Sequence, residues 1–188
     1  MRKPLGFTLT EILVTLAVVG VMTGFALPAF HGIVERNRSA VALNQLLGAL
    51  QSARNAAITL RTAVTLCPSA TDAACGARDS WHQGTLIFAD HNRDGLRDPT
   101  EQVVRWLPGF DNGARIYWRS FRNRSYLQMS PTGMTDWQNG NLLYCPPDGD
   151  PHFAREVIIN AQARPRTAPD KNRDGIAEDA NGQPLRCP

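Results

Sequence analysis

The chain has 188 residues, a formal net charge of +3, and 43% hydrophobic against 20% charged residues. Once a membrane-length segment is set aside, that length leaves about one domain, and so small a net charge excludes a strong global field. None of the four cysteines forms a Cys-x-x-Cys pair, His31, His82, His91 and His152 are scattered, and no serine sits in a nucleophile elbow. Thiolate–imidazole metal sites and hydrolase chemistry are therefore not expected. The reading is of a non-enzyme without a cofactor.

From Ile12 to Phe30 there is no charge, and the only hydroxyls are Thr15 and Thr23. That is about the twenty apolar residues a helix needs to cross hydrocarbon. Arg2 and Lys3 form a basic start, but no Ala-x-Ala site follows the apolar run; the small residue, Gly6, precedes it. A secretory signal has the opposite order. Glu11 stands at the membrane edge, where an ionisable group is costly unless paired.

The run Gly6-Phe7-Thr8-Leu9-Thr10-Glu11 resembles the processing site of type IV prepilins and type II secretion pseudopilins. The resemblance implies a leader over 1–6 and cleavage after Gly6 by a prepilin peptidase. It also implies methylation of the new N-terminus at Phe7 and retention of 7–30 as a transmembrane and assembly helix. In those families the corresponding glutamate pairs with the N-terminal amine of a neighbouring subunit, which assigns that role to Glu11. Other pilins would then be partners. The chain would be an inner-membrane single-pass protein before assembly and part of a pilus afterwards, with residues 31–188 periplasmic or extracellular.

Pro28 interrupts the helix near the outer face, and Glu35-Arg36-Asn37-Arg38 marks the exit into water. Beyond Val41, residues Leu43, Leu46, Leu47, Leu50, Ala53 and Ala57 recur at helical spacing, which predicts an amphipathic helix over 31–60. The period then becomes that of strands, at 63–67, 85–89, 103–107, 114–118, 125–129, 141–145 and 156–160, separated by Gly, Pro, Asn and Asp. One long helix followed by a β-rich region (61–162) and a tail (163–188) is an α+β arrangement with an antiparallel sheet. The order resembles the FimT/GspH group of minor pilins and minor pseudopilins. The shared landmarks are Trp81 before 85–90, the polar loop 90–101, Ser130-Pro131-Thr132-Gly133, and 142–145 followed by 157–160. That implies a type IV pilin-like fold.

Cys67, Cys75, Cys145 and Cys187 allow three pairings. A globular part outside the inner membrane meets an oxidising compartment. The reading is two disulfides, Cys67 with Cys75 closing a short loop and Cys145 with Cys187 tying down a tail unable to fold by itself.

Asp90, Asn92 and Asp94, with Gly95 and then Glu101, have the spacing of a calcium loop. Asp170, Asn172, Asp174 and Gly175 begin a second copy whose twelfth position is Asn181. Strands rather than helices flank the first copy, and Arg93 and Arg173 bring cations into both, so a solvated turn competes with a metal site.

Of the twenty Lys and Arg residues, all but Lys3 and Lys171 are arginine. Arginine forks match phosphate, although a codon bias would give the same excess, so location has to decide. Arg115, Arg119, Arg122 and Arg124 lie within ten residues, interleaved with Tyr117, Trp118, Phe121 and Tyr126. Arg164-Pro165-Arg166 follows the last expected strand, with Lys171 and Arg173 nearby. Guanidinium groups on a proline-restricted loop grip phosphates at low entropic cost; a solvated hairpin and tail are the alternative. FimT-type minor pilins carry Gly-Arg-x-Arg after the last strand, implicated in DNA binding during natural transformation. Ala163-Arg164-Pro165-Arg166 matches it at both arginines, with alanine where the motif's turn needs positive φ. The resemblance implies sequence-independent DNA binding through the tail; a purely structural pilin or GspH-type pseudopilin shares every other feature.

Overall fold

The computed structural model describes residues 6–110 and 112–188, with the side chains of Phe25 and of residues 27–29 outside that description. Of the leader expected at 1–6, only Gly6 lies within the described residues. The chain divides into two units, Met1–Arg38 and Ser39–Pro188.

In the first unit Gly6, Phe7 and Thr8 precede helix α1 (Leu9–Leu60). A capping box starts α1. The Thr8 hydroxyl accepts from the Glu11 amide at 3.3 Å, while a Glu11 carboxylate oxygen accepts from the Thr8 amide at 3.0 Å. The Gly6–Phe7 peptide thus lies outside the helix, with Phe7 84% exposed. α1 continues through Pro28, as expected of one long helix in which the proline is tolerated. Among the described residues no helix is long and apolar enough to cross a membrane. The expected span over 12–30 runs into the undescribed side chains at 25 and 27–29, and the helical stretch before them is shorter than the roughly twenty residues a bilayer requires.

In the second unit the apolar stripe of α1 is buried at Ala42, Leu46, Ala49, Leu50, Ala53 and Ala57, with Leu43 and Leu47 at its margins. The strands are β1 (Val64–Pro68), β2 (Gly84–Ala89), β3 (Val103–Pro108), β4 (Arg115–Ser120), β5 (Leu127–Met129), β6 (Gly140–Cys145), β7 (Arg155–Ile159) and β8 (Pro165–Thr167). They form two four-stranded sheets, ordered β3-β2-β1-β5 and β4-β6-β7-β8, with every pairing antiparallel. The helical stripe shares one core with Val64, Leu66 and Ile87 of the first sheet and Ile116, Trp118, Leu142, Tyr144, Val157 and Ile159 of the second. Seven strands fall where residue pattern places them, within two residues at each end. The eighth gives no pattern signal, because three residues carrying a proline and an arginine have no apolar alternation.

Cys67 pairs with Cys75, eight residues on, and Cys145 with Cys187, across 42 residues. Loop closure of those lengths stabilises by about 2.5 and 4 kcal/mol respectively. The tail has packing of its own: Ala168, Ala177 and Leu185 are buried with Leu143, Cys145 and Ala154 in a second cluster. It covers the face of the second sheet that is turned from α1.

Candidate functional site

The β7–β8 hairpin carries the two arginines that follow the last expected strand. Its register pairs Val157 with Thr167, Ile158 with Arg166 and Ile159 with Pro165. Asn160 closes the turn twice: its carbonyl accepts the Ala163 amide at 2.9 Å, and its side-chain oxygen accepts the Arg164 amide at 3.0 Å. Ala163 sits at φ +54, in the left-handed region that favours glycine. The alanine thus adopts the positive-φ turn that a glycine would make at lower cost. Its methyl group is buried in the main core, so burial offsets part of the roughly 1 kcal/mol steric cost. Arg54, on α1, donates to the Ala163 carbonyl at 3.3 Å. The turn is therefore held from both ends while Arg164 and Arg166 remain exposed. Residue pattern makes Arg54 only a spacer on a helix and does not single out Asn160, although an asparagine at a strand end is a turn signal.

Arg166 is not electrostatically alone. Across the second sheet, Arg119, Asn141, Ile158 and Arg166 occupy one row, by the pairings of β4 with β6, β6 with β7 and β7 with β8. Glu156, 1% exposed, accepts from the Asn141 side chain. Burial pushes its carboxyl above the ordinary value; the Asn141 bond opposes this, Asp179 adds to it, and the charges of Arg119 and Arg166 pull it back down. Its second oxygen is buried without a hydrogen-bond partner among the described residues.

The 115–124 arginines do not form one patch. Ile116 and Trp118 of β4 point into the core while Arg115 and Arg119 face out. Arg122, at φ +62, lies over the Phe121 ring with 5.7 Å to the centroid. Arg124 folds back over Tyr126 at 5.3 Å and donates to its hydroxyl. Lys171 and Arg173 are exposed on the tail loop. Among the described residues, none of these cations forms an ion pair.

Both Asp-rich loops are hydrogen-bonded turns. Asp90 is fully buried; one of its oxygens accepts from Thr65 and Gln128 side chains at 2.7 Å and from the Gly95 amide at 3.1 Å. Glu101 accepts the His91 and Asp98 amides at 2.8 and 3.0 Å. In the second loop Asp170 accepts the Arg173 and Gly175 amides at 2.7 and 2.9 Å. The part of Glu101 is taken there by Glu178, which accepts the Lys171 amide at 2.8 Å, rather than by the Asn181 that the spacing indicates. Asp174 is held below the ordinary carboxylate range, first by the Ile176 amide and then by the Asn172 side chain. Asn92 and Asp94 likewise accept the Asp94 and Leu96 amides, at 3.2 and 2.7 Å. Among the described residues, no three His, Cys, Asp or Glu side chains converge so as to hold a metal ion. In both loops, Asp and Asn oxygens at that spacing accept the backbone amides that turn the chain.

Residues 42–163 match the profile of the family described as Type II transport protein GspH. The chain belongs to the GspH family. Residues 1–27 match the Prokaryotic N-terminal methylation motif. The type IV minor pilin FimU of Pseudomonas aeruginosa has the same fold: one of its crystal structures superposes with a TM-score of 0.57 at 21% identity, over 72% of this chain and 91% of that chain. A second crystal form gives 0.50 at 20% identity, over 71% and 92%. No curated protein matches the chain. GspH-family proteins are minor pilins and pseudopilins, so other pilins and a prepilin peptidase are partners that membership implies.

Proposed function

We propose that this GspH-family chain is a minor pilin that binds DNA without sequence preference through Arg164 and Arg166, supporting uptake of extracellular DNA. The observation that carries the reading is the Ala163 turn, left-handed and pinned by Asn160 and Arg54, which holds exposed arginines on a rigid hairpin. Phosphate contacts from such a hairpin bind irrespective of base sequence and weaken steeply with salt. Lys171 and Arg173 add charge from the tail, and Arg115, Arg119, Arg122 and Arg124 are secondary. About two to four phosphates neutralised per subunit give weak binding, which repetition along a filament strengthens by avidity. In this reading cleavage after Gly6 frees Phe7 for methylation, residues 7–30 anchor the precursor in the inner membrane, and Glu11 pairs with a neighbour's amine during assembly.

The test is a gel shift with the full-length chain in neutral detergent. Arg164→Ala combined with Arg166→Ala should abolish DNA retardation and leave the thermal melt unchanged. Normal retardation by the double variant would remove the hairpin assignment.

A second reading has its own support, because the matching family is described by type II transport. In it the chain is a purely structural pseudopilin and the hairpin arginines are a solvated edge. Failure of the wild-type chain to retard DNA at low salt would favour it.

A further inference from the structure

Trp137 stands out among the four tryptophans. Trp81 and Trp118 are 2% and 3% exposed and Trp106 37%, whereas Trp137 is 79% exposed. Its φ of +57 is one that bulky residues avoid. The loop carrying it is nevertheless firmly held. The Trp137 amide donates to the Thr135 carbonyl at 2.9 Å and the Asp136 amide to the Gln128 carbonyl at 3.0 Å. Gln138 accepts the Gln128 amide at 2.7 Å. Gly133 takes φ +74, a conformation that favours glycine, where the loop passes the Ile58 side chain of α1. A large aromatic surface is thus displayed in a costly conformation on a rigid support, which lowers the entropy lost on binding.

The loop is also joined to the arginine hairpin. The Thr135 amide and hydroxyl both donate to the Ala161 carbonyl, at 3.1 and 3.0 Å. Ala161 belongs to the turn that ends in Ala163 and Arg164. With Ser130, Thr132, Met134, Asp136 and Trp137 it lines a surface concavity. Arg54 bridges the two segments: it bonds the Ala163 carbonyl, and its Nε lies 3.3 Å from where a Cβ on Gly133 would be. Arg54 therefore puts a cation between the hollow and the hairpin, while Asp136 repels phosphate from the rim that carries Trp137. The arrangement orients a strand with its backbone along the hairpin and a base toward the indole.

We infer that the hollow beside the last hairpin takes an unpaired nucleobase stacked on Trp137, so that single strands and frayed ends are held more tightly than intact duplex. The inference rests on the DNA-binding reading above. In a duplex both faces of each base are covered by neighbours, whereas an unpaired base has a free face, and stacking on an aromatic side chain is sequence-tolerant. Met134, 46% exposed, adds apolar surface to the lining of the hollow.

The experiment is a fluorescence-anisotropy titration of the full-length chain in neutral detergent at one fixed salt concentration. The probes are an oligothymidylate of about twenty nucleotides, longer than one site, and its blunt duplex with oligoadenylate. Wild type should bind the single strand more tightly. Trp137→Ala should lower single-strand affinity about tenfold and leave duplex affinity within twofold, Trp137→Phe should retain most of the single-strand affinity, and Arg164→Ala should weaken both. Thermal melts of the Trp137 variants should match wild type, because the side chain packs against little. If Trp137→Ala leaves single-strand binding unchanged, or weakens both forms equally, the stacking site is overturned while the hairpin reading stands. The first of those results would point to a neighbouring subunit as what covers the indole. If wild type binds neither probe, both fail.

Discussion

Two stretches of the chain concentrate arginine, 115–124 and 164–166, and the fold treats them in opposite ways. In the first, strand alternation turns Arg115 and Arg119 outward on β4. Left-handed Arg122 and Asn123 then reverse the chain, and Arg122 and Arg124 settle on their own aromatic neighbours. The richer cluster in sequence is split between one outward strand face, carrying Arg115 and Arg119, and two cations laid on aromatic rings. In the second, a single turn residue at positive φ and three hydrogen bonds hold a sparser pair on one exposed hairpin. Charge density along a chain is thus a poor guide to charge density in space; the backbone between the charges decides.

Removing each set in turn breaks the comparison most directly. Arg164→Ala with Arg166→Ala should lower DNA affinity at least tenfold and flatten the salt dependence of log K by close to two, about 0.9 for each phosphate that is no longer neutralised. The triple variant Arg115→Ala, Arg119→Ala, Arg122→Ala removes more charge, yet should lower affinity by no more than about threefold, the long-range share of three screened charges. Equal losses of affinity from the two variants, measured by anisotropy across a salt series, would show that net charge rather than the hairpin governs binding.

The turn itself can be tested without touching an arginine. Ala163→Val places a β-branched residue at φ +54 in a buried position. It should destabilise by about 2–3 kcal/mol, lowering Tm by roughly 5–10 °C, and weaken DNA binding severalfold. Ala163→Gly relieves the backbone but loses a buried methyl group, two effects near 1 kcal/mol each, so its melt should stay close to wild type with binding retained. If Ala163→Val melts like wild type, the hairpin tolerates another turn.

Much of this fold is readable from residue pattern because its signals are physical and local. The helical stripe from Leu46 to Ala57 and the strand alternations each act within a few residues. The site is less readable. Arg164 and Arg166 can be singled out, but not the support that fixes them: Arg54 reaches the hairpin from a residue 109 positions away in sequence. Spacing likewise does not point to Glu178, which accepts the Lys171 amide in the second Asp-rich loop. The Asp-rich loops mark the same limit. Asp-x-Asn-Arg-Asp-Gly occurs twice and turns the chain alike, with Arg93 and Arg173 at φ +61 and +64. Yet Asp90 is fully buried and bonded to Thr65 and Gln128, while Asp170 is exposed. A repeated motif specifies its turn, and the surrounding strands specify whether that turn is core or surface.

The smallest expected effect concerns Glu156, the buried acid whose charge is felt by both Arg119 and Arg166. Its carboxyl is raised above the ordinary value of 4.5, chiefly by burial, so the native chain keeps this proton to higher pH than the unfolded chain does. On this group's account stability is greatest below that value and declines as pH rises through the raised one. Glu156→Gln keeps the partner at Asn141 and removes the titration, so it should flatten that decline, with melts at mildly acidic and neutral pH drawing together. It also removes a negative charge that offsets Arg166 and Arg119. Above its raised value, where the carboxylate carries that charge, DNA affinity should then rise about two- to threefold, the size expected for one charge removed at several ångström in a largely aqueous setting. Wild type should show the same gain on acidification, as Glu156 takes up its proton, and Glu156→Gln should not. If the variant binds DNA no better than wild type at any pH up to the alkaline range, then Arg166 is not the limiting contact and Arg164 alone carries the hairpin's share.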